Sequence, residues 1–231
     1  MSVPTGGFGT EAAIGDVAAL PAVRWPGPGR IDVVAEIPAA GVFLGTDRAG
    51  QPVALPAVLP RAVRVGMLGA PAVAAVLAYR LLAVGCQVTV ITLGSAYWSN
   101  LYAKVNSNRL TLVDRPVGWP ATPAGPPGAN PGPQALILDY PTPPPLWLGD
   151  GPWCTVVHAC PALPAGSEFW AAVDGMLLTS RGYSAAAAHR WRRPDAALAD
   201  ELLPGEIALA GRDGTRPLTF PLAPAEREVV G

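Results

Sequence analysis

The chain has 231 residues, half of them hydrophobic, enough to bury the core of one α/β domain but not of two complete ones. Its 16 basic against 17 acidic side chains leave a formal charge of −1, which excludes the clustered basic footprint that nucleic-acid backbones require. The 28 prolines and 26 glycines predict ordered blocks separated by stiff loops.

Three cysteines, Cys86, Cys154 and Cys160, are odd in number and too sparse for a disulfide framework, so they predict reduced thiols in a cytoplasmic setting. Residues 1–18 lack the basic start and apolar centre of a signal peptide. The longest uncharged apolar run, 65–79, has 15 residues, where a membrane-spanning helix needs about 20. No direct membrane span is expected.

Residues 1–29 mix glycine, proline and small side chains without periodicity and read as a loosely ordered lead-in to a single α/β domain over 30–231. A strand is expected over 31–37. The runs 42–46 and 51–55, separated by Asp47-Arg48-Ala49-Gly50, predict a hairpin whose second strand lies at a sheet edge because of Pro52. The centre of the chain follows. Residues 64–92 read as strand, glycine turn, helix, glycine stop and strand, with Gly85 closing the helix. Such a βαβ unit requires a parallel sheet.

Beyond it, Tyr97, Trp98, Leu101, Tyr102 and Val105 share one helical face, and 109–113 reads as a strand. Proline-rich loops are expected at 116–133 and 141–152, since nothing in them sustains a helix or an inner strand. Between them, 135–140 is a continuous apolar run ending at Asp139-Tyr140, the pattern of a buried parallel strand. Further strands are predicted over 155–159 and 175–180, a helical turn over 167–171, and helices over 183–191 and 194–203. A second hairpin over 207–220 has Asp213-Gly214 at its tip. The fold class is α/β, a mostly parallel sheet of degenerate P-loop or Rossmann-like type with antiparallel hairpins near both ends. Val65, Leu77, Leu81, Val88, Val90, Leu136, Leu138, Val156 and Leu177 are the expected core.

A P-loop needs a glycine, four residues, then Gly-Lys and a hydroxyl residue. Here Gly66 to Val73 offers Gly66 and Gly69 but neither the lysine nor the hydroxyl, and Pro71 removes an amide from the helix start. Asp139 occupies the place of a magnesium-associated acid at the end of an apolar strand. Gly66, Gly69 and Asp139 are therefore the candidate cofactor-binding residues, read either as a bare anion site or as packing glycines and a structural acid. No catalytic constellation accompanies them, and no cofactor is expected. A dinucleotide fingerprint is not formed either, because the two glycines are three apart and the strand ending at Thr92 offers no acid for a ribose.

Cys154, His158 and Cys160 share one face of an extended strand, but that strand spreads them over about 20 Å, too far for one metal. They read as core residues. Gly94-Ser95-Ala96 lacks the glycine that a nucleophile elbow places two residues before its serine. The cluster Arg190, Arg192 and Arg193 around Trp191 reads as a solvated helix end. Trp119, Trp147 and Trp153 lie in or beside the proline-rich loops and are the candidate partner-binding residues; the rings either dock a protein partner or pin their loops to the sheet.

The order Gly41-Val42-Phe43-Leu44-Gly45, Asp47-Arg48-Ala49-Gly50-Gln51-Pro52-Val53, then Val63-Arg64-Val65-Gly66-Met67-Leu68-Gly69 resembles the entrance to FtsK/EccC-type ATPase domains, where a hairpin leads into the strand before the P-loop. The later blocks, 174–178, 183–203, 205–209 and 222–226, resemble the cytosolic part of EccE-type components of actinobacterial type VII secretion loci. This resemblance extends over 30–226 and rests on block order. It implies a non-catalytic protein-interaction or scaffold component beside a secretion ATPase or membrane complex. EccE-type proteins carry N-terminal membrane helices, which this sequence departs from. A nucleotide- or NAD(P)-binding Rossmann-like enzyme is the alternative reading.

Overall fold

The computed structural model describes residues 41–94, 96–115 and 118–231; the strand expected over 31–37 and the lead-in over 1–29 lie outside them. Among the described residues ten strands form a single sheet in the order β2-β1-β10-β9-β8-β3-β7-β6-β4-β5. They are β1 Gly41–Asp47, β2 Pro52–Pro56, β3 Val63–Leu68, β4 Gln87–Thr92, β5 Leu110–Val113, β6 Gln134–Asp139, β7 Cys154–Cys160, β8 Gly175–Leu178, β9 Glu206–Gly211 and β10 Gly214–Thr219. The half from β8 to β5 is parallel. The half from β2 to β8 is antiparallel.

Among the described residues, five α-helices connect or follow the strands: α1 Pro71–Ala83, α2 Ala96–Val105, α3 Glu168–Ala171, α4 Ser184–Trp191 and α5 Pro224–Val230. Two hydrophobic clusters separate the faces. On one, Leu77, Leu81, Trp98, Leu101 and Val229 from α1, α2 and α5 pack on Val65, Val90 and Ile137. On the other, Phe169, Trp170, Ala187 and Ala199 pack on Leu136, Val156, Met176 and Leu178. The sheet is thus covered on both sides, which is why β6 and β7 are nearly continuous apolar runs. All nine residues expected in the core are buried.

The central βαβ unit forms as its sequence predicts. Gly85 takes φ +94°, its amide donates to Leu82 O at 3.1 Å, and the Cys86 amide donates to Leu81 O at 3.0 Å, the paired bonds of a glycine-terminated helix. Pro52 does stand on an edge strand. Both proline-rich loops lack helix and strand throughout their described residues.

Three expectations are corrected. The helix expected over 194–203 is a 3₁₀ helix, Pro194–Asp200. The Asp195 carboxylate accepts from Thr215 N and Arg193, and that of Asp200 from Gly182 N and Ser184. Both carboxylates thereby anchor the segment to other elements. The second hairpin turns at Arg212-Asp213, because Gly211 pairs with Gly214, which is already in β10. The strand expected over 175–180 ends at Leu178, where Thr179 turns to serve the start of α1.

Candidate functional site

In open parallel sheets, ligands bind beyond the carboxyl ends of the strands, where neighbouring strands send their connections to opposite faces. Here that place lies between β3, followed by α1 on one face, and β7, followed by α3 on the other. The link from β3 to α1 is only Gly69-Ala70. Gly69 has φ +113°, and a Cβ on it would overlap Thr179 Oγ1 and crowd Ser180 and Tyr183. The loop after β8 is seated on this glycine.

Two of the amides that a phosphate would use are engaged from within the protein. Gly69 N donates to Cys160 O at 3.2 Å, Ala70 N donates to Thr179 Oγ1 at 2.5 Å, and Pro71 has none. The Thr179 hydroxyl passes its own hydrogen to Leu68 O at 3.1 Å. Tyr183 closes the outside of the crevice by donating to Pro161 O at 2.8 Å.

Gly66 lies inside β3, in register with His158 of β7. A Cβ there would penetrate the six-membered ring of Trp170. That ring lies across the strand, and its Nε1 donates to His158 Nδ1 at 2.7 Å. His158 is fully buried, with its Nε2 2.8 Å from Tyr140 O. With Nδ1 accepting, the proton sits on Nε2 and the ring is neutral. Burial drives the imidazole below its ordinary value, against the pull of Tyr140 O and Asp139. The glycine, the indole and the imidazole therefore make one packed layer.

Asp139 ends β6, which β7 separates from β3, placing it two strand spacings, about 10 Å, from the β3 line. Its Oδ2 accepts from Trp98 Nε1 at 2.7 Å and from the Thr92 hydroxyl at 3.5 Å. Gly69 thus follows the end of β3 and Gly66 lies within it, while Asp139 ends a strand two places away and is bonded to Trp98 of α2. Cys154 and Cys160 are buried, and burial pushes the Cys160 thiol up to about 11. Among the described residues no group of three or more His, Cys, Asp or Glu is placed to hold a metal ion.

The three loop tryptophans divide. Trp119 is half-buried, packed on the second cluster, and its ring lies where a Cβ of Gly149 would be, so one proline-rich loop rests on the other. Trp153 is half-buried in the first cluster. Its amide donates to Leu59 O and its carbonyl accepts from Gln134 N, fixing the start of β7. Trp147 is 71% exposed. Its loop is tied to β3 by Arg64, which donates to Leu146 O at 3.0 Å and to Asp150 at 3.1 Å.

Neither protein-family models nor curated proteins gave a match to the sequence. Among solved structures, the chain is similar to the pCW3 conjugation coupling protein TcpA, solved in a monomer form with ATPγS, at a TM-score of 0.51. Identity is 10%, and the alignment covers 84% of this chain and 68% of that one. The likeness shows the fold alone, a mixed α/β architecture on a mostly parallel sheet with antiparallel hairpins. No helix among the described residues is long and apolar enough to cross a membrane.

The role of Gly66 was beyond sequence reasoning, because it depends on a tryptophan from a distant helix. The signal that could have found the plugged crevice is Thr179-Ser180, two hydroxyl residues directly after an apolar strand.

Proposed function

We propose that this chain is a non-catalytic component that works through a protein partner, built on a P-loop ATPase-like fold whose phosphate position is occupied by its own side chains. The observation that carries this reading is the Thr179 hydroxyl on the Ala70 amide, with Tyr183 and Ser180 packed against Gly69. A triphosphate would find two engaged amides and a proline there. It would also meet no lysine to neutralise it and no hydroxyl after Gly69 to hold magnesium.

The block order resembling EccE-type components supports placing it in a type VII secretion-like assembly, on the cytoplasmic side and peripheral to the membrane complex. Trp147, a large exposed ring on a proline-stiffened loop, is the side chain we assign to partner contact. In this reading Gly66, Gly69 and Asp139 bind no nucleotide, and Trp119 and Trp153 hold the loop that presents Trp147.

The test is a panel of ATP, GTP and nicotinamide dinucleotides, each with magnesium, read by thermal unfolding and by phosphate release. The expected result is no turnover and no shift. A ligand at 100 times its dissociation constant stabilises by roughly 3 kcal/mol. A shift of that size, or turnover lost in Asp139→Asn, would replace this reading with a nucleotide- or NAD(P)-binding enzyme.

A further inference from the structure

Between β7 and β8 the chain crosses over β3 as a strap, and its two ends are tied more firmly than its middle. At the near end the Tyr183 hydroxyl donates to Pro161 O at 2.8 Å and Cys160 Sγ donates to Ala162 O at 3.1 Å. At the far end Arg190 Nη2 donates to Val173 O at 3.2 Å and Asp174 N donates to Arg64 O at 2.8 Å. Over 163–172, among the described residues, one hydrogen bond leaves the segment: Trp170 Nε1 to His158 Nδ1. The others stay within it, from Trp170 N to Ser167 Oγ, Ala171 N to Ser167 O and Ala172 N to Phe169 O. Glu168, its one charged residue, is exposed and enters no ion pair among the described residues.

A cavity of about 630 Å³ lies between the strap and α4, with Leu163, Ser167 and Ala171 on one side, Ala186 and Arg190 on the other, and Met176 of β8 beneath. What seats the strap is therefore apolar. Phe169 and Trp170 are buried against the sheet, Trp170 in the space that Gly66 leaves. Phe169 meets the His158 ring edge to face, with centroids 6.1 Å apart. Both seating rings thus rest on one imidazole. Neutral, it accepts from Trp170; protonated, it carries a hydrogen on each nitrogen and can only donate. Two N–H groups would then confront each other across 2.7 Å in a fully buried place. His158 has no way out, because β7 is enclosed between β3 and β6. The strap, held at its ends, has one.

We infer that the strap is an acid-operated device: protonation of His158 lifts 163–172 off β3 and bares Phe169 and Trp170 while the sheet stays formed. Burial holds the seated imidazole below its ordinary 6.5, so the proton enters with the opening. The groups around it leave the switch to His158. Asp139 of β6 favours the proton and is itself bonded to Trp98. Cys160, two residues along β7, keeps its thiol hydrogen, which burial pushes up to about 11. Arg64 of β3 is paired with Asp150, and Arg190 of α4 serves Val173 O. Glu206 and Glu226, paired elsewhere, change charge only below the ordinary 4.5. His189, the other imidazole of the chain, is exposed on α4. The device does not depend on the reading of this protein as a partner-binding component, and its test needs no partner.

Hydrogen exchange followed by NMR on the full chain tests it, with each rate divided by that of an unstructured peptide at the same pH. Below 6.5, opening at the Ala171 and Ala172 amides and the Trp170 indole hydrogen should rise about tenfold for each unit of pH, the slope of one proton bound on opening. These hydrogens should also exchange faster than the amides of β3 and β6 throughout. His158→Gln should abolish the slope, because its amide accepts from Trp170, donates to Tyr140 O and takes up no proton. His189→Gln should keep it. If the His158 variant fails to fold, the unmodified chain still decides: the Trp170 indole hydrogen must show the slope and must exchange faster than that of Trp98, which lies on the other face of the sheet. Strap and sheet exchanging as one unit, a strap without the slope, or a slope that survives in His158→Gln would each overturn the inference.

Discussion

The indole of Trp170 donates to Nδ1 of His158 at 2.7 Å, and this bond fixes the imidazole as the tautomer that protonates Nε2 and faces Tyr140 O. Protonation would have to add a second hydrogen at Nδ1, against the indole N–H, in a fully buried place. The folded protein therefore keeps His158 neutral below the ordinary value of 6.5, while the unfolded chain takes up the proton there. More protons in the unfolded state mean that stability rises with pH. It should be full well above the ordinary value of 6.5 and decline as the pH falls through it. Carboxylates held low by ion pairing, such as Glu206 beside Arg48, enter only below the ordinary 4.5. Urea midpoints measured across this window should slope in the natural protein and flatten in His158→Gln.

Gly66 is the space that Trp170 fills. A methyl group there meets ring atoms of a side chain that is itself buried, and overpacking of this kind costs about 1–3 kcal/mol. Gly66→Ala should lower the unfolding midpoint accordingly. Combined with Trp170→Leu, it should cost less than the sum of the two single changes, because the smaller side chain leaves room for the methyl. Strict additivity would show that the two residues do not share this volume.

Arg80 of α1 joins more of the molecule than any ion pair on the surface. Its guanidinium binds Glu226 of α5 at 2.7 Å, with both side chains largely buried. It also donates to Phe43 O, Leu44 O and Pro221 O and lies over the Phe220 ring. Burial works against the Glu226 charge, yet Arg80 and the Ala223 amide hold its carboxyl below the usual range. Arg80→Met leaves that carboxylate buried and unpaired, a loss of about 3–5 kcal/mol. Equilibrium unfolding would read it directly. Arg80→Met with Glu226→Gln should recover part of the loss.

The tryptophans separate docking from pinning. Trp147→Ser should stay within about 0.5 kcal/mol of the natural protein, because the ring is mostly exposed, yet lose recovery of the partner in pull-downs. Trp153→Ser should cost about 1–3 kcal/mol through lost burial at the start of β7. A Trp147 variant that melts early and still binds would return the ring to a structural role.

What the sequence disclosed is what local chemistry controls. The helix stop at Gly85, the β1–β2 hairpin and the buried runs of β6 and β7 each depend on residues a few positions apart. What it concealed depends on distant partners. The indole that claims Asp139 comes from Trp98, 41 residues earlier, and the hydroxyl over Gly69 comes from Thr179 after β8. The α5 helix was not foreseen; its start is set by Glu226, which accepts from Ala223 N and pairs with Arg80 from far upstream. Nor does either hairpin announce that β1 and β10 pair with each other.

That pairing sets an order of events in time. Thr46 lies opposite Thr219, with about 170 residues between them, so the β1–β2 hairpin can join the sheet only after β10 has been made. At roughly 5–20 residues per second of synthesis, the hairpin waits on the order of ten seconds or more as a nascent two-stranded ribbon, too small to be stable alone. The six parallel strands, whose sequence ends at β8, can assemble meanwhile without it. A nascent chain stalled far enough past β8 for that strand to have left the ribosome, but before β10 has emerged, should therefore protect the α1 region from protease while leaving the hairpin open to cleavage.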